Sequence, residues 1–180
     1  MGRRKSLEPA ANRASLTCAP DYCEPLSAWR MWEVGDVDTA PRLLSLYRNC
    51  VWPVGLPFEA RCEAHRFRPW RRDRHSAPHT TCTCGIYAVS YEFIGRLARH
   101  DRLPEARVFV IGAVSLWGDV VECERGWRAA RAYPTRLFIP DAGSDAEHHA
   151  AGLADYGVPV EVLGTSSVTD VLDAVAELAA

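Results

Sequence analysis

Between Arg107 and Ile139 the chain reads RVFVIGAVSLWGDVVECERGWRAARAYPTRLFI. Val, Ile, Trp, Phe and Tyr are so dense here that the stretch is expected to be extended, because branched and aromatic side chains pack well on a pleated surface. Apparent breaks at Gly118, Arg125-Gly126 and Pro134 divide it into three or four strands of a meander. Gly112 marks a bulge where a small barrel would have to bend. Upstream, AWRMWEV (28–34) reads as a strand that turns at Gly35 and Asp36, with RLLSLY (42–47) as its returning partner. GIYAVS (85–90) is a further strand and YEFIGRLARH (91–100) a short helix. The last forty residues change character. Ser144 followed by Glu147 has the spacing of a capping box, and Gly157 the place of a C-cap, so 145–156 should be helical. VPVEVL (158–163) is a strand, and Val168, Val171, Leu172, Val175 and Leu178 fall on one face of a terminal helix opened by Ser167 and Asp170. The expected class is therefore α+β: a β-rich small barrel or meander body carrying a C-terminal helix-strand-helix.

A chain of 180 residues that is 48% hydrophobic can bury one core without a covalent staple. Residues 1–25 lack periodicity and read as a flexible N-terminal arm, leaving 26–180 as a single domain. A net charge of -2 gives no global attraction to nucleic acid or anionic lipid. No secretory h-region and no apolar window of membrane-spanning length is visible, so a cytoplasmic location and no membrane partner are expected. In a reducing compartment the seven cysteines, odd in number and irregularly spaced, do not form a disulfide framework.

The segment HRFRPWRRDRHSAPHTTCTCGIYAV (65–89) holds most of the chemistry. In extended backbone residues i and i+2 point to one side, so the sulfurs of Cys82 and Cys84 converge, and Gly85 removes the side chain that would crowd them. A structural zinc site takes four Cys or His ligands, so two more are needed. Cys62, His65, His75 and His79 lie upstream. Cys62 and His75 are the preferred pair, with Cys123 in reserve. The set Cys62, His75, Cys82 and Cys84 offers three sulfurs and one nitrogen, a donor mix that suits zinc. Two other readings stand beside it: buried thiols acting as small hydrophobes, and a strained, easily reduced Cys82/Cys84 disulfide serving a thiol enzyme.

Arg66, Arg68, Arg71, Arg72 and Arg74 surround Phe67 and Trp70 within the same segment. Guanidinium forks for phosphate and aromatic faces for bases are the composition of a single-strand or RNA-contacting loop; a solvated loop is the alternative. Trp29, Trp32 and Trp52 would line a barrel mouth, and Trp117 and Trp127 belong to the core or to a pocket lip. Glu122, Glu124, Arg125 and Arg128 read as ordinary cross-strand charge pairs. Phosphate-loop, dinucleotide, nucleophile-elbow and HExxH patterns are all missing, which argues against phosphoryl transfer and serine hydrolysis.

HSAPHTTCTCGIYA (75–88) and GAVSLWGDVVECERGWRAARAYP (112–134) together resemble a group of small actinobacterial and actinophage proteins. That group carries HxAPxxxCxCGIYA followed by GxVxLWGxVxEHxxGxRAxxAYP. The resemblance implies a pattern and no activity. Position by position it marks His75, Cys82, Cys84, Gly85 and, through the EAxC segment, Cys62. Where the pattern has His after VxE, this chain has Cys123. The reading of the whole is a non-catalytic, zinc-stabilised binding or regulatory module that contacts nucleic acid through its arginine-aromatic loop. The alternatives are a thiol redox enzyme and a structural component of a larger assembly.

Overall fold

The computed structural model describes residues 24–46, 50–63, 75–100, 108–140, 145–165 and 168–179. Seven strands share one sheet: β1 Leu26–Val37, β2 Ala40–Ser45, β3 Phe58–Glu59, β4 Ile86–Val89, β5 Val108–Cys123, β6 Gly126–Pro140 and β7 Val160–Leu163. The helices are α1 Tyr91–His100, α2 Ala146–Leu153 and α3 Val168–Ala179. No helix among the described residues is long and apolar enough to cross a membrane.

The valine-rich stretch forms two long strands, not three or four. β5 and β6 pair antiparallel from Ile111↔Phe138 to Cys123↔Gly126. Of the three expected breaks, Arg125-Gly126 falls at the turn between them, and the other two sit at register shifts, between Ala113/Val114 and between Trp117/Val120. Gly118 lies in the second. Pro134 opposes Val114 beside the first, at a kink where a missing N–H is tolerated. Gly112 is itself regularly paired, next to the first shift, and is needed for another reason. A Cβ there would stand 2.3 Å from the Arg136 carbonyl oxygen.

β6 is the spine of the sheet. One edge pairs with β5, and the other takes β4, β3 and the parallel β7 in succession. β1 lies on the far side of β5 over Leu26↔Leu116 to Val34↔Val108, and touches β4 at the single pair Trp29↔Val89. The sheet is strand-rich and mixed, with β7 parallel to β6 and β1 between β2 and β5, and is not a closed barrel. The C-terminal helix-strand-helix is present, with β7 built into the sheet.

Both faces are covered, as the two-residue alternation of strand side chains requires. Trp32, Val110, Val114, Leu137 and Ile139 are buried with Trp52, Leu153 and Tyr156. Met31, Ile111 and Phe138, one residue out of phase, are buried with Ile94 of α1 and Val171 and Val175 of α3. This phase separates the tryptophans. Trp32 and Trp52 meet edge to face at 5.3 Å in the first cluster, whereas Trp29 stacks on Phe138 at 6.1 Å in the second. They line no common mouth.

Two local expectations shift. The β1–β2 turn is Asp38-Thr39, both at positive φ (51 and 69), and Gly35 lies within the strand. Such a pair of left-handed residues matches the twist of a two-residue hairpin. Helix α2 starts at Ala146 with Asp145 as N-cap and no side-chain cap bond, Ser144 lying outside the described residues. It continues as a 3-10 turn through Tyr156 to Gly157, at φ 68, the expected C-cap.

Candidate metal centre

β6 brings the site together. At its start it pairs with β4 (Ile86↔Ala129), which fixes the chain leaving Cys82 and Cys84; three residues on it pairs with β3 (Phe58↔Ala132), which fixes the chain approaching Cys62. The Ala60 N–H adds a bond of 2.8 Å to the Ala130 carbonyl. Between these arms the chain returns through His75, Ser76 and a cis Ala77–Pro78 peptide to a turn closed by the Cys82 N–H on the His79 carbonyl at 3.1 Å.

The ligand atoms of Cys62, His75, Cys82 and Cys84 all lie within 4.8 Å of one another, and all four residues are half-buried. The Cys62 and Cys82 sulfurs are 3.8 Å apart, and the Cys84 sulfur is 3.4 Å from His75 Nε2. All four cysteines near this corner, Cys123 included, are free thiols, so no Cys82/Cys84 disulfide is present. The Cys84 backbone amide holds the Cys82 thiol down to about 7 against the opposing effect of burial. Burial pushes the Cys84 thiol up to about 11, with the Cys82 side chain acting in the same direction. One easily ionised sulfur beside a buried one, an imidazole and a third thiol form a cluster that could hold a metal ion.

The remaining candidates fall away from the ligand set. His79 packs its ring on His75 at 4.6 Å and turns Nδ1 to the Thr81 hydroxyl at 3.0 Å. Cys123 lies outside the four-residue cluster; its sulfur accepts a hydrogen bond from Arg128 Nε at 3.3 Å. His65, Arg66, Arg68, Trp70, Arg71, Arg72 and Arg74 lie outside the described residues.

Arg128, expected only in cross-strand charge pairs, is the residue that organises this site. Only 6% exposed, it donates from Nη1 to the carbonyls of Cys84 (2.9 Å), His79 (3.3 Å) and Cys82. It thus grips the backbone on both sides of Thr83, in place of the expected cross-strand ion pair. Gly85, at φ 122, makes room: a Cβ there would meet Pro78 Cβ at 2.9 Å and Arg128 Cβ at 3.0 Å. The signal available in the sequence was an arginine set in GWRAARA, where small neighbours leave space for a long side chain to fold over the sheet.

No protein-family model, no curated protein and no solved structure matches the chain. Its class is defined by fold and site: an α+β protein with a Cys3His cluster fit to hold a metal ion.

Proposed function

We propose that the protein is a non-catalytic binding module whose corner is riveted by zinc held by Cys62, His75, Cys82 and Cys84. One observation carries this reading: the mutual spacing of the four donor atoms. Bonds of about 2.3 Å to sulfur and about 2.0 Å to nitrogen in a tetrahedron put ligand sulfurs about 3.8 Å apart and sulfur about 3.5 Å from nitrogen. The spacings of 3.8 and 3.4 Å agree. Four protein ligands leave no open position for water or substrate, the mark of a structural rather than a catalytic ion. The actinobacterial and actinophage pattern includes the same four positions, and on that motif we group the chain with those proteins.

The ion's place suggests its use. Cys62 and His75 flank residues 63–74, so one metal would tie both ends of the segment that carries Arg66, Arg68, Trp70, Arg71, Arg72 and Arg74. A closed basic-aromatic loop suits the phosphates and bases of single-stranded nucleic acid. The thiol-enzyme reading keeps one supporting observation, the low Cys82 thiol.

Elemental analysis of the reduced, untagged protein, with thiol counts before and after chelation, tests the first claim. About one zinc per chain, with masked thiols released by chelator, supports the rivet. Absence of metal with a freely reactive Cys82 refutes it in favour of the thiol enzyme. Binding of a fluorescent single-stranded oligonucleotide tests the second: retention should fall steeply with salt and with Arg71→Ala/Arg72→Ala, and salt-insensitive or absent binding removes the nucleic-acid claim.

A further inference from the structure

We propose that Arg128 is the counter-ion of the metal-thiolate centre and sets its affinity for the metal, an inference that rests on the zinc reading above. Arg128 and Ser45 are the buried polar side chains of the described residues, and Arg128 alone of the two carries charge. Among the described residues no carboxylate pairs with it; the ion pairs join Arg42 to Asp155, Arg131 to Glu59 and Arg136 to Glu161. A charge taken out of water without a partner is strongly disfavoured. Its surroundings are instead three carbonyl oxygens, the Cys123 sulfur and the face of the Tyr87 ring, 5.9 Å from the guanidinium carbon.

The missing negative charge is supplied by the site. A divalent ion bound to three thiolates and a neutral imidazole leaves one net negative charge, and the Arg128 guanidinium grips the backbone of two of the three thiolate residues. Together the centre and Arg128 sum to neutrality, which is what a half-buried corner requires. Arg128 is a positioning residue in this scheme: it touches no metal. It fixes the Cys82–Cys84 backbone and balances the charge that its sulfurs acquire on binding. Outer partners of metal ligands commonly govern affinity by about 10–100-fold.

The test is a zinc titration of the full chain against a chromophoric chelator, with Arg128→Gln, Arg128→Lys and Cys123→Ser. Glutamine keeps a donor for the carbonyls but removes the charge; lysine keeps the charge. We expect Arg128→Gln to bind zinc about 10–100-fold more weakly and Arg128→Lys to stay within about tenfold of wild type. Cobalt-substituted Cys123→Ser should keep the full sulfur-to-cobalt charge-transfer intensity. Wild-type affinity in Arg128→Gln overturns the proposal, as does an equal loss in both arginine variants. So does a charge-transfer band reduced by the serine, which would make Cys123 a ligand. If Arg128→Gln does not fold, Arg128→Lys decides, a loss beyond tenfold overturning the idea. Wild-type protein that binds no zinc would instead refute the zinc reading itself, whereas tight wild-type binding unmoved by Arg128→Gln refutes only the role of Arg128.

Discussion

The two ends of β6 meet opposite surroundings. At one end Leu137, Phe138 and Ile139 are fully buried, and alternation sends them into the two apolar clusters on either face of the sheet. At the other, Arg128 reaches across to three loop carbonyls and a thiol beside the four side chains that could hold a metal ion. Apolar burial is non-directional and roughly proportional to area, so the first end tolerates approximate geometry. The second holds polar groups that each need a partner at the right distance. One strand therefore couples a self-sufficient core to a corner whose order depends on bonds met one by one.

The comparison can be broken first at the apolar end. Phe138→Ala removes a ring packed on Trp29 and should cost about 3–5 kcal/mol in chemical denaturation, with the Cys/His corner lost in the same transition because β6 is shared. Two separate transitions would show that the corner stands alone. Chelation or Cys84→Ser attacks the polar end. An ion binding only the folded chain adds about 2.7 kcal/mol at a hundredfold excess over Kd, so its loss should lower the midpoint less than Phe138→Ala does. Limited proteolysis should then cut within 62–85 while the tryptophan emission of Trp32 and Trp52 stays native. Uniform cleavage across the sheet would contradict the division.

Tyr156→Phe probes polar bonding inside the apolar cluster. The Tyr156 hydroxyl donates to the Trp52 carbonyl at 2.7 Å and accepts from the Leu43 N–H at 3.1 Å, so its removal should cost about 1–3 kcal/mol. Burial raises the Tyr156 pKa above its ordinary value of about 10. The unfolded chain then loses this proton first, so stability is fully present below pH about 10 and falls as pH rises beyond it. The phenylalanine variant should lose that part of the alkaline slope; an unchanged slope would assign it to other groups. Oxidation by diamide sharpens the polar end without much energy at stake. It should join Cys62 to Cys82, whose sulfurs already lie 3.8 Å apart, and peptide mapping that finds Cys82–Cys84 instead would restore the strained redox pair. The smallest effect belongs to Arg131→Ala. Its pair with Glu59 is half-exposed, and the unfolding free energy should change by no more than about 1 kcal/mol.

Much of the corner was legible because ligand chemistry is local in type. Few residue types bind metal, and Cys62, His75, Cys82 and Cys84 stand close along the chain, although His65 and His79 lie in the same stretch. Arg128 was hidden because an arginine in a strand looks the same whether it faces water or a loop. The number of strands was hidden for a related reason. Gly118 and Pro134 end strands in isolation, yet the register shifts of the β5–β6 ladder absorb both.

By itself the sequence determined that this chain is β-rich with a helical end and that its strands alternate, and it favoured the four side chains that the fold gathers into a cluster that could hold a metal ion, since these follow from side-chain chemistry and from spacing of two or a few residues. The tertiary structure decided the rest. It determined which neighbour each strand takes, that helices cover both faces of an open sheet, and that Arg128 rather than Cys123 completes the corner. Those outcomes depend on contacts such as Arg128 with Cys84, far apart in the chain, whose partners exist only after β6 has brought β3 and β4 side by side.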